Sequence, residues 1–280
     1  MGTAADRLAA LAPLAARVCP WVVDLAVPGA DEGGPDEHAD EGPVRAMTLV
    51  LRIERGTPPT ATALLEAAAA AALGLCLDER AAPDGPWYDA VAAWAGAGRI
   101  RKLARRARTA HWRAVGDVDG LTATVGDPEA GGGQVRALVP GPVDEVPHEV
   151  RRLQIGGTDL PDDEPGEAPA DRPVIWLNPT VEQSTGKAAA QVGHASMILA
   201  TVLAWTGADD GEVDAVTSAS VRTASAAQWD RWCTALAHDD SGRAAWEDHG
   251  VAPVRDAGFT EVAPGTVTVL ALPPGVAVRG

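Results

Sequence analysis

Only two lysines stand against 21 arginines in this chain of 280 residues. One of them, Lys187, opens the stretch "TGKAAAQVGHASMILATV" (185–202), with Gln191 and His194 behind it at helical spacing. At about 100° per residue, Lys187, Gln191, His194 and Ile198 share a stripe roughly 60° wide. The opposite side, from Ala188 and Ala189 to Leu199 and Val202, is small and apolar, suited to lying flat on a sheet. Ser184 or Thr185 supplies a hydroxyl cap, and Gly186 lets a ligand approach the backbone. A lysine in the first turn opposes the helix dipole by about a few tenths of a kcal/mol. An anion held jointly by the ammonium and the amides would resolve that conflict. The plain alternative is an exposed Lys, a hydrogen-bonded Gln and a partly buried His.

A second stretch, "RDAGFTEVAPGTVTVLALPP" (255–274), places Asp256 just past a strand in a glycine-containing turn. Thr260 comes four residues later, and Pro264-Gly265 returns the chain into a final strand. Its ordinary reading is a turn in which Asp256 caps its own backbone. A nucleotide P-loop is excluded, because Val181 and Ala188 stand where that motif needs Gly and Ser or Thr. No nucleophile elbow, HExxH or paired Cys/His spacing occurs, so neither a metal nor another cofactor is expected. His238 and His249 lie near Asp239, Asp240 and Asp248 without ligand spacing, and read as solvated loop residues.

Together, "GKAAAQVGHA" and "RDAGFTEVAPGTVTVLALPP" resemble the peptidyl-tRNA hydrolase family typical of archaea and eukaryotes, the second of two unrelated hydrolase types. The resemblance covers 173–277. It implies a small mixed sheet flanked by helices, and metal-free hydrolysis of the ester joining a peptide or amino acid to the 3′ end of tRNA. Carried across, Lys187, His194, Asp256 and Thr260 match the catalytic positions, while Gly186, Gln191 and Thr266 match positions lining the substrate. The sequence departs from the family at Phe259, where Arg is common, and at Glu261, where Gln is common; both changes make the site edge less positive. Ester hydrolysis needs a base and a place for the developing oxyanion. His194, oriented by Asp256, is the candidate base or water-positioner. Lys187 and the helix amides would hold a phosphate or the oxyanion, and Thr260 would donate a hydrogen bond. Two other readings stay open: an inactive module binding RNA or a partner, and a related fold acting on another small ester or amide.

The elements that must position these residues come in two series. Acidic stretches rich in Pro and Gly, 29–43 and 157–173, each hold six acids and at most one base, and read as loops or linkers. They divide the chain into an N-terminal helix and acidic loop (1–43), a first half (44–156), an acidic linker (157–172) and a second half (173–280). In the first half an apolar strand, 46–56, leads into an Ala-rich helix, 60–77, and 135–146 is a β-rich ending. In the second half strands are expected at 173–178, 220–224, 251–256 and 266–272. Helices are expected at 185–206 and 225–238, with a short one around Trp246. Superposing the halves sets Lys187, Gln191 and His194 opposite Ala63, Ala67 and Ala70, as if an old duplication kept the scaffold in the first copy without the polar groups. Continuous apolar strands imply an α/β fold: two tandem small mixed sheets flanked by helices. The expected assembly is a monomer forming an internal pseudo-dimer, or a homodimer.

The net charge of −16 disfavours nucleic acid as a sum but not in its distribution. Without the two acidic stretches about −5 remains, and "RIRKLARRARTAHWR" (99–113) carries seven basic groups, among them Arg105 and Arg106 as candidate tRNA-phosphate contacts. The competing reading is a solvated cationic face balancing the acidic loops. Three isolated cysteines, Cys19, Cys76 and Cys233, point to free thiols in a reducing cytoplasm. No run of 18 apolar residues suits a membrane span. The N-terminal stretch reads as a short amphipathic helix, not a secretory signal.

Overall fold

The computed structural model describes residues 3–22, 43–97, 100–236, 242–256, 262–263 and 265–276. The fold is α/β, with two mixed sheets flanked by helices. Short helices α1 (Ala4–Arg7) and α2 (Ala12–Val18) precede strand β1 (Arg45–Arg52) and helix α3 (Ala61–Leu77). Then come α4 (Tyr88–Gly96), β2 (Arg101–Ala107), α5 (Thr109–Val115), β3 (Gly120–Val125), β4 (Gly133–Leu138), β5 (Gly141–Pro142) and α6 (His148–Arg151). The rest comprises β6 (Val174–Leu177), α7 (Thr185–Trp205), α8 (Asp210–Ala215), β7 (Ser220–Thr223), α9 (Ala226–Leu236), α10 (Arg243–His249), β8 (Ala252–Arg255) and β9 (Val267–Leu272).

The first sheet runs β2-β1-β4-β3, with β5 also on β1; the second runs β7-β6-β9-β8. In each, the first two strands of that order are parallel and the other pairings antiparallel. The halves therefore repeat one topology although their sequences share little. Their long helices are capped alike: the Thr60 hydroxyl accepts from the Ala63 amide, and the Ser184 hydroxyl from the Lys187 amide. Counted from these caps, Ala63, Ala67 and Ala70 occupy the places of Lys187, Gln191 and His194.

Helices α3 and α7 pack against each other between the two sheets. α3 lies on β4 and β3 and reaches β7; α7 lies on β8 and β9 and reaches β2. Small side chains make this close packing possible. A Cβ at Gly193 would stand 3.1 Å from the Ala72 Cβ, and Ser196 Oγ donates to the Ala69 carbonyl at 2.9 Å. The largest apolar cluster accordingly draws on both halves, from Leu8 and Leu49 to Val269 and Ala271. Trp229 and Trp232 close the outer face of the second sheet, and Val115 and Val150 the outer face of the first. α7 has the length and mean hydropathy of a membrane span, yet 83% of that window is buried inside the protein.

The expected second-half elements agree with the observed ones to within a residue or two. Helices α4, α5, α6 and α8 and strands β2 and β3 were not anticipated; β2 lies in the stretch read only as a basic patch, and β3 is half-exposed with a short alternation. The stretch 157–173, expected as a linker, has neither helix nor strand but is fastened to the body. Asp163 Oδ1 accepts from the Thr62 amide at 3.0 Å and its hydroxyl at 2.9 Å, serving the first turn of α3. The acidic stretch 29–43 lies outside the described residues, apart from its last residue, Pro43.

Candidate functional site

Asp256 follows β8 directly, and its main chain is locked on both sides. Its amide donates to the Thr266 carbonyl at 2.8 Å, and its carbonyl accepts from the Gly265 amide at 2.7 Å. That turn carries the carboxylate over α7. There Lys187 Nζ forms an ion pair with Asp256 Oδ2, and Gln191 Nε2 donates to the same oxygen at 2.6 Å. Thr268 Oγ1, on β9, donates to Gln191 Oε1 at 2.9 Å. Because a carboxylate only accepts and a hydroxyl can do either, the Asp256 contact settles which way the amide faces: Gln191 gives its NH2 to Asp256 and its oxygen to Thr268. Gln191 is buried at 4% exposure and Thr268 at 0%. The Lys187 and Asp256 side chains retain 14% and 5% of their exposure. Nothing in the spacing of the sequence marked Thr268; only the register of β9 places its hydroxyl beside α7.

One turn further along α7, His194 Nδ1 lies 2.9 Å from Lys102 Nζ. Lys102 comes from β2, in the first half. Its stem crosses Gly193, where a Cβ would meet Lys102 Cδ at 3.2 Å, and its ammonium lies 5.0 Å from the Trp94 ring. The orienting partner of the imidazole is thus Lys102, where Asp256 was expected. Burial, together with the positive charges of Lys102 and Lys187, pushes the His194 pKa well below its ordinary value. Burial likewise lowers the Lys102 amine to about 7.

These groups border a single cavity of about 710 Å³. α7 contributes Lys187, Gln191 and His194, β2 contributes Arg101 and Lys102, β8 leads to Asp256, and α2 covers one side. Both lysines of the chain therefore reach the same space, from different halves.

Several expected contributors stand elsewhere. Gly186 does line the cavity, but the room above it is taken: its amide donates to Thr158 Oγ1 at 3.2 Å, and a Cβ there would come within 2.8 Å of that oxygen. Its lack of a side chain serves internal packing. With the Lys187 amide bound to Ser184 Oγ at 3.2 Å, two amides expected to face a ligand have protein partners. Arg105 donates to the Leu153 carbonyl at 3.3 Å. Arg106 donates to the Gly157 carbonyl at 2.7 Å and to the Gln154 side chain. Neither guanidinium lines the cavity; the 99–113 stretch reaches it only at its start, where Arg101 and Lys102 stand. Thr266 acts through its carbonyl and is not among the lining residues. Thr260, Phe259, Glu261 and His238 lie outside the described residues. Among the described residues no three His, Cys, Asp or Glu side chains gather as a metal site would require.

Compared with models of known protein families, with curated proteins and with solved structures, the chain matches none of them.

Proposed function

We propose that the chain hydrolyses the ester bond of peptidyl- or aminoacyl-tRNA at the Lys187–Asp256 end of the cavity, releasing tRNA and a free acid. One observation carries the reading. Lys187, Gln191 and Asp256, whose segments resemble the hydrolase motifs, meet at one oxygen on the edge of a cavity. The chemistry follows from these groups. Water attacks the ester carbonyl, and the Lys187 ammonium, with N–H groups beyond the one given to Asp256, donates to the developing oxyanion. Asp256 and Gln191 hold the ammonium in place. With the Lys102 amine neutral, His194 Nδ1–H donates to it, and Nε2 takes the proton from water, then returns it to the departing ribose oxygen. tRNA phosphates would meet Arg101 and the β2 edge beside the cavity, and the tandem halves would stand in for the family's usual dimer.

A binding module without hydrolysis is the second reading. The engagement of the Gly186 and Lys187 amides favours it, since those donors are withdrawn from an oxyanion hole. Release of a labelled peptide from tRNA separates the two. Lys187→Ala and Asp256→Ala should each lower release about a hundredfold or more. Full activity in both variants would reject the site, and a tRNA complex without release would favour the binding module.

A further inference from the structure

In the reaction proposed above Lys102 only orients the His194 imidazole, yet it is the most unusual group in the cavity. It is 8% exposed, and among the described residues no carboxylate lies within ion-pair reach of it. The groups around it offer no negative charge. From α7 it faces His194, on which the positive Lys187 also acts; from α3, the Cys76 thiol, which burial pushes up to about 12. From α4 it faces the Trp94 ring, and Arg101 precedes it on β2. Asp256 is already shared by Lys187 and Gln191. A buried ammonium without an anion is costly, so the site leaves one charge to be supplied from outside.

The walls beyond Lys102 are apolar. Ile100, Leu103, Ile155, Met197 and Ile198 line the cavity, and α2 adds Val18. Leu103 and Ile155 are also two of the four large apolar side chains exposed among the described residues, at 37% and 69%. Exposed apolar surface converging on one buried cation describes a ligand with an apolar body and a single acidic head.

We propose that this cavity binds a small organic acid of that kind, its carboxylate received by the Lys102 ammonium beside His194 and its body lying along β2 and α7. The assignment does not depend on ester hydrolysis at Lys187, and a non-hydrolysable probe keeps the two apart. Because the amine is only about half protonated at pH 7 in the empty site, seating a carboxylate draws a proton onto it. Affinity therefore falls as pH rises above that point, by up to about tenfold per unit.

The test is calorimetric titration of the full-length protein with octanoate and with octanamide, from about pH 6 to about pH 8.5. Octanoate should bind more tightly than octanamide at the lower pH and weaken at least about tenfold across the range, while octanamide stays level. Lys102→Met, which matches the stem in length, should abolish both the preference and the pH dependence. Equal and level binding of acid and amide to the wild-type protein, no binding of either at millimolar concentration, or an unchanged preference in Lys102→Met would each overturn the assignment. The wild-type comparison decides the matter even if the variant does not fold.

Discussion

Two residues in this site hold ionisation states that their surroundings dictate, and both have consequences for stability. The Lys102 amine falls from 10.5 to about 7 on folding. Between those values the unfolded chain holds a proton that the folded chain lacks, so this group makes the protein less stable as pH falls from 10.5 towards 7. Below that the penalty is constant, on the order of 5 kcal/mol at most. Lys102→Met removes it, so the variant's advantage over wild type in chemical denaturation should grow as pH is lowered through that window and then level off. A difference independent of pH would show that the amine is not desolvated as described. His194 acts in the same direction on the acid side. Its lowered pKa means that stability is lost as pH falls below the ordinary histidine range of about 6.5. Gln191 illustrates a different point. Its two ends are claimed by Thr268 and Asp256, and Thr268→Val should leave Gln191 Oε1 unsatisfied while Asp256 still holds the NH2. The expected result is a stability loss of about 1–2 kcal/mol, seen in the denaturation midpoint.

At the scale of elements, α7 does two jobs with opposite faces. One face packs on α3 through Gly193 and Ser196; the other carries Lys187, Gln191 and His194 towards the cavity. Because Gly193 also supports the Lys102 stem, side-chain volume at that single position disturbs both jobs. Gly193→Ala should cost about 1–3 kcal/mol through overpacking, and Gly193→Val more. Gly141→Ala, where nothing stands within 4 Å, is the matched control and should be near neutral. An unchanged denaturation midpoint for Gly193→Val would mean that α3 and α7 are not held as closely as the 3.1 Å approach requires.

At the scale of the whole molecule, the halves repeat a topology but do not close separate cores. α3 and α7 share the largest apolar cluster, and Glu66 on α3 accepts from the Val221 amide at 3.1 Å and pairs with Arg222 at 2.9 Å on the second sheet. Lys102 crosses from the first half to complete the cavity of the second. A fragment of 173–280 alone would expose the α3-facing side of α7. It should aggregate or self-associate in size-exclusion chromatography, and become soluble when co-expressed with 1–172. A monodisperse, cooperatively folded fragment would contradict the shared core.

The sequence by itself determined most of the second half. Its strands are continuous apolar runs, α7 has a hydroxyl cap and a helical stripe, and the order of strand, helix and strand follows from these local signals. It also set Lys187, Gln191 and His194 on one helix face, and the family resemblance joined Asp256 to them, as the partner of His194. Tertiary structure alone decided their company. Thr268, Thr158 and Lys102 meet α7 from far along the chain, through sheet register and the packing of the two halves. Side-chain spacing carries no information about such meetings. That is why the imidazole faces an amine from the first half, and why the helix amides expected to face a ligand face a loop.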